Sequence, residues 1–329
     1  MEKSLTIWIP TYQRSKYLCR LIKNISTHGL LDFANVIVSN NDPLDHSNVQ
    51  SMIQLHSRNS EVTYRTNPSN MTAGVNFLKA FEYVPTPWLM IVGDDDLFTP
   101  NSLEIISSLI ETLSKEIVAV KFDSSLFGAQ QDLKALRLQD YVSQLRRADY
   151  PDAFNNLCLI SNWLFQVEPC LRHISTAFLG YSSKMSHLFP LLSACRTEGL
   201  LIQFMSAQPV VHGTCEEATW PKAASWFEMV MTLSSFVGFV DKQDRQALLR
   251  LLLHSDWPRY ITKCFRIHHF YSDCTYGISP WNIHLQLCVL SSFYRTAFFF
   301  SLPFLLIPAR WLPSAFRKQL GDPGRVDRW

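Results

Sequence analysis

The sequence predicts an α/β fold: a mostly parallel sheet flanked by helices, followed by a helical C-terminal extension. Three observations predict it. Over the first 125 residues, short apolar runs alternate with amphipathic ones, as strands joined through helices do. Polar and acidic residues stand directly behind several apolar runs, at the strand ends where open α/β sheets bind ligands. Hydrophobic residues make up 47% and charged residues 18% of 329, enough for a sizeable core and too apolar for general disorder.

Taken in order, residues 5–9 read as a buried strand. Tyr17, Leu18, Leu21, Ile22 and Ile25 recur at helical spacing. Residues 36–38 and, more weakly, 61–64 read as strands, 75–81 as a short helix, and 88–92 as an apolar strand. Asn101 stands where an N-cap belongs, before a helix carrying Leu103, Ile105, Ile106 and Leu109. Residues 117–122 form a further strand. From Asp123 to Leu171 the pattern weakens, with a charged helical stretch over 134–147. A short apolar helix over 186–195 and a strand over 200–204 follow. Residues 225–264 are helical in period, and the tail after Asn282 is rich in Phe, Leu, Pro and Arg. No repeat or low-complexity linker intervenes. The chain divides softly into a core, 1–222, and a helical C-terminal region, 223–329.

Bulk properties exclude several classes. A formal net charge of +2 gives no electrostatic case for nucleic acid. The eight cysteines, at 19, 158, 170, 195, 215, 264, 274 and 288, form no CxxC pair, which speaks against a zinc site of the usual spacing. They read as mostly buried thiols in a reducing compartment, and no signal peptide is expected at the N-terminus. Residues 296–309 fall short of the roughly 20 apolar residues a membrane span needs. They also contain Pro303 and Pro308 and lie between Arg295 and Arg310, so no span is expected.

Chemistry concentrates in Met90-Ile91-Val92-Gly93-Asp94-Asp95-Asp96, three carboxylates directly after an apolar strand. Like charges this close repel, and a cation compensates them. Hard divalent ions take carboxylate oxygens and leave positions for phosphate. Such an ion holds a diphosphate and neutralises its charge as it leaves. The plainer reading is a polar loop that caps the next helix.

Four segments in order carry a family resemblance. Ile7-Trp8-Ile9-Pro10-Thr11-Tyr12-Gln13-Arg14 resembles the opening of the family 2 glycosyltransferases, which have the Rossmann-like GT-A fold. Val36-Ile37-Val38-Ser39-Asn40-Asn41-Asp42 stands where that family has an acidic pair. Asn67-Pro68-Ser69-Asn70, with Gly74 and Asn76, is similar to its third nucleotide-binding segment. Gly93 to Asp96 is similar to its DxD motif. Within the family, the Gly-Asp-Asp-Asp form and the stretches 180–192 and 209–220 resemble O-antigen transferases of deoxy- and dideoxyhexoses, such as abequosyltransferases.

The resemblance implies a nucleotide-sugar donor, a glycan acceptor linked to polyprenyl diphosphate, Mg2+ or Mn2+, and inversion at the anomeric centre. Pro10, Thr11 and Tyr12 are implied to line the nucleotide pocket, with Asn70 and Asn76. Asn40 is implied to contact the base, although Asn replaces the usual Asp. Asp94 and Asp95 are implied at the ribose or diphosphate, and Asp96, with Asp94, at the metal. Arg14 either faces the donor phosphates or pairs with a carboxylate. His212, in His212-Gly213-Thr214, is a further metal or phosphate ligand, or a structural His. The family's catalytic base is a carboxylate in a Glu-Asp pair, which this chain lacks. His187, before the apolar helix, takes the role, with an ordinary imidazole pKa near 6.5. Glu198, Glu216 and Glu217 are the reserves. Trp163, Trp220 and Trp226 either stack on sugars or pack in the core. The aromatic and basic tail suits an anionic membrane surface, which implies a cytoplasmic protein peripheral at the inner membrane.

Competing enzymes fit less well. A sugar nucleotidyltransferase needs a Gly-rich basic loop after the first strand, and a haloacid dehalogenase an Asp there. A dehydrogenase needs GxGxxG. An inactive scaffold with the same fold is the non-enzyme alternative, against which the three retained aspartates speak.

Overall fold

The structure, a computed structural model, describes residues 3–56, 62–123, 133–137, 140, 159–177, 185–212 and 299. The chain divides into two compact units, Met1–Glu217 and Ala218–Trp329. The boundary drawn at residue 222, the helices expected over 225–264, and the tail apart from Phe299 lie outside the described residues.

The first half alternates as its sequence requires. β1 (Leu5–Thr11) leads to α1 (Ser15–Thr27), a short α2 (Leu30–Phe33) and β2 (Ala34–Asn40). Next come α3 (Val49–His56), β3 (Val62–Thr66), α4 (Ala73–Tyr83) and β4 (Trp88–Ile91). A two-residue β5 (Leu97–Phe98) precedes α5 (Ser102–Thr112) and β6 (Ile117–Phe122). Leu18, Leu21, Ile22 and Ile25 form the buried stripe of α1. Burying each such side chain is worth about 1.5–3 kcal/mol. Gly29, at a φ of 72°, makes the left-handed turn into α2 that side chains resist.

The second half brings β7 (Leu133–Leu136), β8 (Trp163–Gln166), α6 (Val167–Arg172) and α7 (Ile174–Ala177). α8 (Leu188–Glu198), β9 (Leu201–Met205) and β10 (Val210–Val211) complete the unit. Eight strands form one sheet in the order β3-β2-β1-β4-β8-β6-β9-β7. β3, β2, β1 and β4 run parallel, as do β6 and β9. β8 enters antiparallel between β4 and β6, and β7 pairs antiparallel with β9. The sheet is therefore mostly parallel, and its central strands are buried on both faces: β1, β4 and β6 expose almost nothing.

Two expectations change. The start of the charged stretch over 134–147 is strand β7, because cross-strand pairing with β9 overrides local helix preference. Asn101 occupies the cap position of α5, but its side chain makes no capping hydrogen bond. β5 and β10 pair antiparallel as a separate small ribbon that the sequence did not announce.

Candidate active site

The carboxyl ends of β1 and β4 meet at one edge. Trp8 lies opposite Ile91 in the parallel register, so the same offset carried forward sets Thr11 opposite Asp94. The Thr11 hydroxyl donates to Asp94 Oδ2 at 2.7 Å. Arg14 forks across two neighbours: Nη1 donates to Asp94 Oδ1 at 2.7 Å and Nη2 to Asp95 Oδ2 at 2.8 Å. Arg20 donates to the Asp95 carbonyl at 2.8 Å. Of the two roles open to Arg14, the structure displays the carboxylate pairing. Gln13, just before it, holds a left-handed φ of 53°, a conformation that costs a non-glycine residue energy and recurs at functional sites.

The acidic loop itself is tight. A Cβ on Gly93 would lie 3.0 Å from Asp96 Oδ2 and 3.1 Å from Asp95 Oδ1, so a side chain there would push the folded-back carboxylates aside by a few tenths of an ångström. Burial pushes the Asp94 carboxyl up to about 7. Arg14 and Thr11 oppose that rise, while Asp95 and Asp96 add to it. Three carboxylates around one paired guanidinium leave an excess of negative charge, which a divalent cation would relieve.

His212 reaches this loop through the ribbon. Val210 pairs with Phe98 and Val211 with Leu97, so the next antiparallel step sets His212 opposite Asp96. The contact is there: His212 Nδ1 lies 3.2 Å from Asp96 Oδ1. Its Nε2 is buried without a hydrogen-bond partner. α1 braces the ribbon, since Asn24 accepts from the Phe98 N–H at 2.7 Å and donates to the Phe98 carbonyl at 3.0 Å. On the far side of Asp96, Ser161 donates to Oδ2 at 2.5 Å and accepts from the Gly93 N–H at 2.9 Å. Asp96 and His212 bring together a carboxylate and an imidazole, two ligand types that a divalent ion takes; the nitrogen facing Asp96 is Nδ1, and the unpartnered Nε2 is the other nitrogen of the ring. Each Asp94 oxygen accepts one hydrogen bond and keeps a second lone pair, so Asp94 can serve such an ion as a ligand or through its charge. Among the described residues no group of three or more His, Cys, Asp or Glu forms a ready-made cage.

Residues 6–169 match the model of glycosyl transferase family 2. The chain carries a family 2 glycosyltransferase domain. No protein with a curated description matches the sequence. Among solved structures, the enzyme is similar to S. aureus TarS 1-349 in complex with UDP-GlcNAc, at 12% identity and a TM-score of 0.57, covering 92% of each chain. It is also similar to the mannosyltransferase PcManGT of Pyrobaculum calidifontis, in complex with GDP-Man and Mn2+, at 14% identity and a TM-score of 0.53, covering 93% of this chain and 86% of the other. At such identities these likenesses bear on the fold, which is that of the GT-A class.

Several residues implied at the transferase's donor pocket are engaged inside the fold. Asn40 is fully buried. Its amide donates to Asp45 Oδ1 at 2.8 Å and to the Tyr64 hydroxyl at 3.0 Å, and its oxygen accepts from the Asp42 N–H at 3.0 Å. Both amide protons are used, so Asn40 organises the loop after β2 and has no donor left to read a base. Asn76 is buried too, exchanging hydrogen bonds with the Ser39 hydroxyl and carbonyl at 2.7 and 3.2 Å. Asn70 is exposed and accepts from Asn41 at 2.9 Å. Pro10 is half-buried, and Tyr12 is exposed beside Thr11.

His187 is corrected most. It is 0% exposed, edge to face with Phe165 at 6.1 Å, and neither ring nitrogen has a hydrogen-bond partner. Burial, and secondarily the charge of Lys121, lowers its pKa to about 3. A base with an ordinary imidazole pKa in reach of a hydroxyl is not what stands there. Glu198 is no substitute. It lies at the other end of α8, held by Arg172 at 2.6 Å and His173 at 2.8 Å, with its pKa lowered chiefly by Arg172. Glu216, Glu217, Trp220 and Trp226 lie outside the described residues. Trp163 is buried, stacked on Phe165 at 5.7 Å, and packs in the core. Ser161 was missed, because a single Ser in a stretch without periodicity carries no signal.

Proposed function

We propose that this glycosyltransferase moves a sugar from a nucleotide diphosphate to a hydroxyl of a glycan, with inversion, around a divalent cation held by Asp96 and His212. The observation that carries the reading is the Asp96–His212 contact at the carboxyl edge of the sheet, a carboxylate oxygen and an imidazole nitrogen 3.2 Å apart. When bound, the cation would neutralise the diphosphate leaving group. Asp94, Asp95 and Arg14 set the charge around that position. The nucleotide sugars bound by TarS and by PcManGT, and the Mn2+ of the latter, support the donor class and the metal.

An imidazole ligand favours Mn2+ over Mg2+, which takes oxygen ligands in strict octahedral geometry. In a thermal-shift screen of UDP-, GDP-, CDP- and TDP-sugars, one donor is expected to raise the melting temperature by several degrees with Mn2+, and less with Mg2+. Ligand at about 100 times its Kd stabilises the native state by about 2.7 kcal/mol. His212→Asn is expected to narrow the Mn2+ advantage. No shift with any donor and metal would refute the donor reading. An unchanged metal preference in His212→Asn would remove His212 from the site.

The finer reading is a deoxy- or dideoxyhexosyl transfer in O-antigen or polysaccharide synthesis, onto a polyprenyl-diphosphate-linked acceptor at the cytoplasmic face of the inner membrane. It is supported by the motif resemblance and by the tail, where Phe298, Phe299, Phe300, Trp311 and Phe316 alternate with Arg295, Arg310, Arg317 and Lys318. No helix among the described residues is long and apolar enough to cross a membrane. The full-length protein is expected to float with liposomes containing anionic lipid and to stay behind with neutral ones. Remaining in the soluble fraction with both would end the membrane reading.

A further inference from the structure

We propose that Ser161 is a positioning residue for the cation site: it fixes the Asp96 carboxylate so that one chosen oxygen is offered to the metal. The inference rests on the metal reading above and adds to it a residue from outside the acidic motif.

Ser161 belongs to the 3-10 turn Ile160–Asn162 that leads into β8, and it is buried. The chemistry of its two partners leaves one arrangement. The Gly93 N–H can only donate, so the Ser161 oxygen accepts there, at 2.9 Å. The Asp96 carboxylate can only accept, so the single hydroxyl proton goes to its Oδ2, at 2.5 Å. A hydroxyl that donates to a carboxylate makes a charge-assisted hydrogen bond, of the stronger kind. The Asp96 N–H donates in turn to the Gly93 carbonyl at 3.1 Å. Ser161 therefore stitches the first residue of the acidic turn to the side chain of its last. With Oδ2 held, rotation about the carboxylate is stopped, and Oδ1 is the oxygen turned toward His212. The proton of Ser161 is committed to Asp96, so Ser161 acts through that carboxylate. Partners of this kind orient metal ligands, and their loss typically weakens metal affinity 10–100-fold.

A serine that merely satisfied the Gly93 N–H would leave metal affinity alone, and that difference is the test. Mn2+ alone is titrated into the full-length protein, with free Mn2+ read by electron paramagnetic resonance, alongside melting curves in chelator. Ser161→Ala is expected to raise the Mn2+ Kd about tenfold. Its metal-free melting temperature should change little. Ser161→Thr, which keeps the hydroxyl, should recover most of the affinity. If Ser161→Ala does not fold, Ser161→Cys, with similar volume and a weaker donor, is expected to move Kd in the same direction. A Kd within twofold of wild type in Ser161→Ala or its Cys stand-in overturns the proposal, as does a Thr variant no better than Ala. Asp96→Asn separates the two failures. If it too binds Mn2+ normally, the metal reading falls and takes this one with it. If it abolishes binding while Ser161→Ala binds normally, only the Ser161 role is lost.

Discussion

Asp96→Asn is expected to lower sugar transfer by at least about 10³-fold, a transition-state loss of about 4 kcal/mol, while the fold survives. Asn matches Asp in shape, so the Ser161 hydroxyl keeps an oxygen to donate to and the turn keeps its backbone hydrogen bond. What disappears is one unit of negative charge at the position opposite His212. A cation there works through that charge, both in being held and in receiving the leaving diphosphate. The metal-free melting temperature should be as high as in the wild type or higher, because Asn removes one of three adjacent like charges. Asp95→Asn is the matched control: Asp95 is the more exposed carboxylate and is paired with Arg14, so its loss should cost much less turnover. The measurement is turnover and Mn2+ affinity for both variants and for wild type in EDTA. Full turnover in EDTA, or ordinary turnover in Asp96→Asn, would sink the metal-assisted reading.

Much of this was legible because parallel strands betray themselves. A strand buried on both faces is a continuous apolar run, and Ile7 to Ile9, Val36 to Val38 and Met90 to Val92 are such runs with a polar residue one or two positions behind. The acidic triplet could be placed at a strand's carboxyl end from that alone. The pieces that complete the site were hidden for physical reasons. β5 and β10 are two residues each and exist because they pair with one another, so no local period marks them. Only their register tells that His212 meets Asp96. β8 is four residues inserted antiparallel, and Ser161 inherits its position from that insertion. Asn40 and Asn76 were implied at the donor by the family resemblance of their segments. Here their amides close the loops that carry the site.

The burial of His187 makes its own prediction, with the sign fixed by which state binds the proton. The ring's pKa is about 3 in the folded protein against an ordinary value of 6.5. Between those values the unfolded chain takes up a proton that the folded one refuses, so stability falls as pH drops below about 6.5. The slope from this one group approaches 1.4 kcal/mol per pH unit, amounting to roughly 2 kcal/mol by pH 5. The sequence hinted at the burial: Leu188 through Ala194 are all buried, an α8 apolar enough to sit inside the fold, and a residue at its N-cap goes in with it. Since neither nitrogen has a partner, replacing the ring with an apolar one breaks no hydrogen bond. His187→Phe is therefore expected to melt near or above wild type at pH 8 and further above it at pH 5, with the gap widening steadily between. Carboxylates titrating over the same range shift both proteins alike, so the difference isolates the imidazole. Turnover at pH 8 should stay within a few-fold of wild type, because a ring sealed from solvent beside Phe165 takes no proton from an acceptor hydroxyl. Melting curves that run parallel from pH 8 to pH 5 would refute the buried neutral ring. A loss of turnover of 10³-fold or more at unchanged melting temperature would return His187 to the role of base.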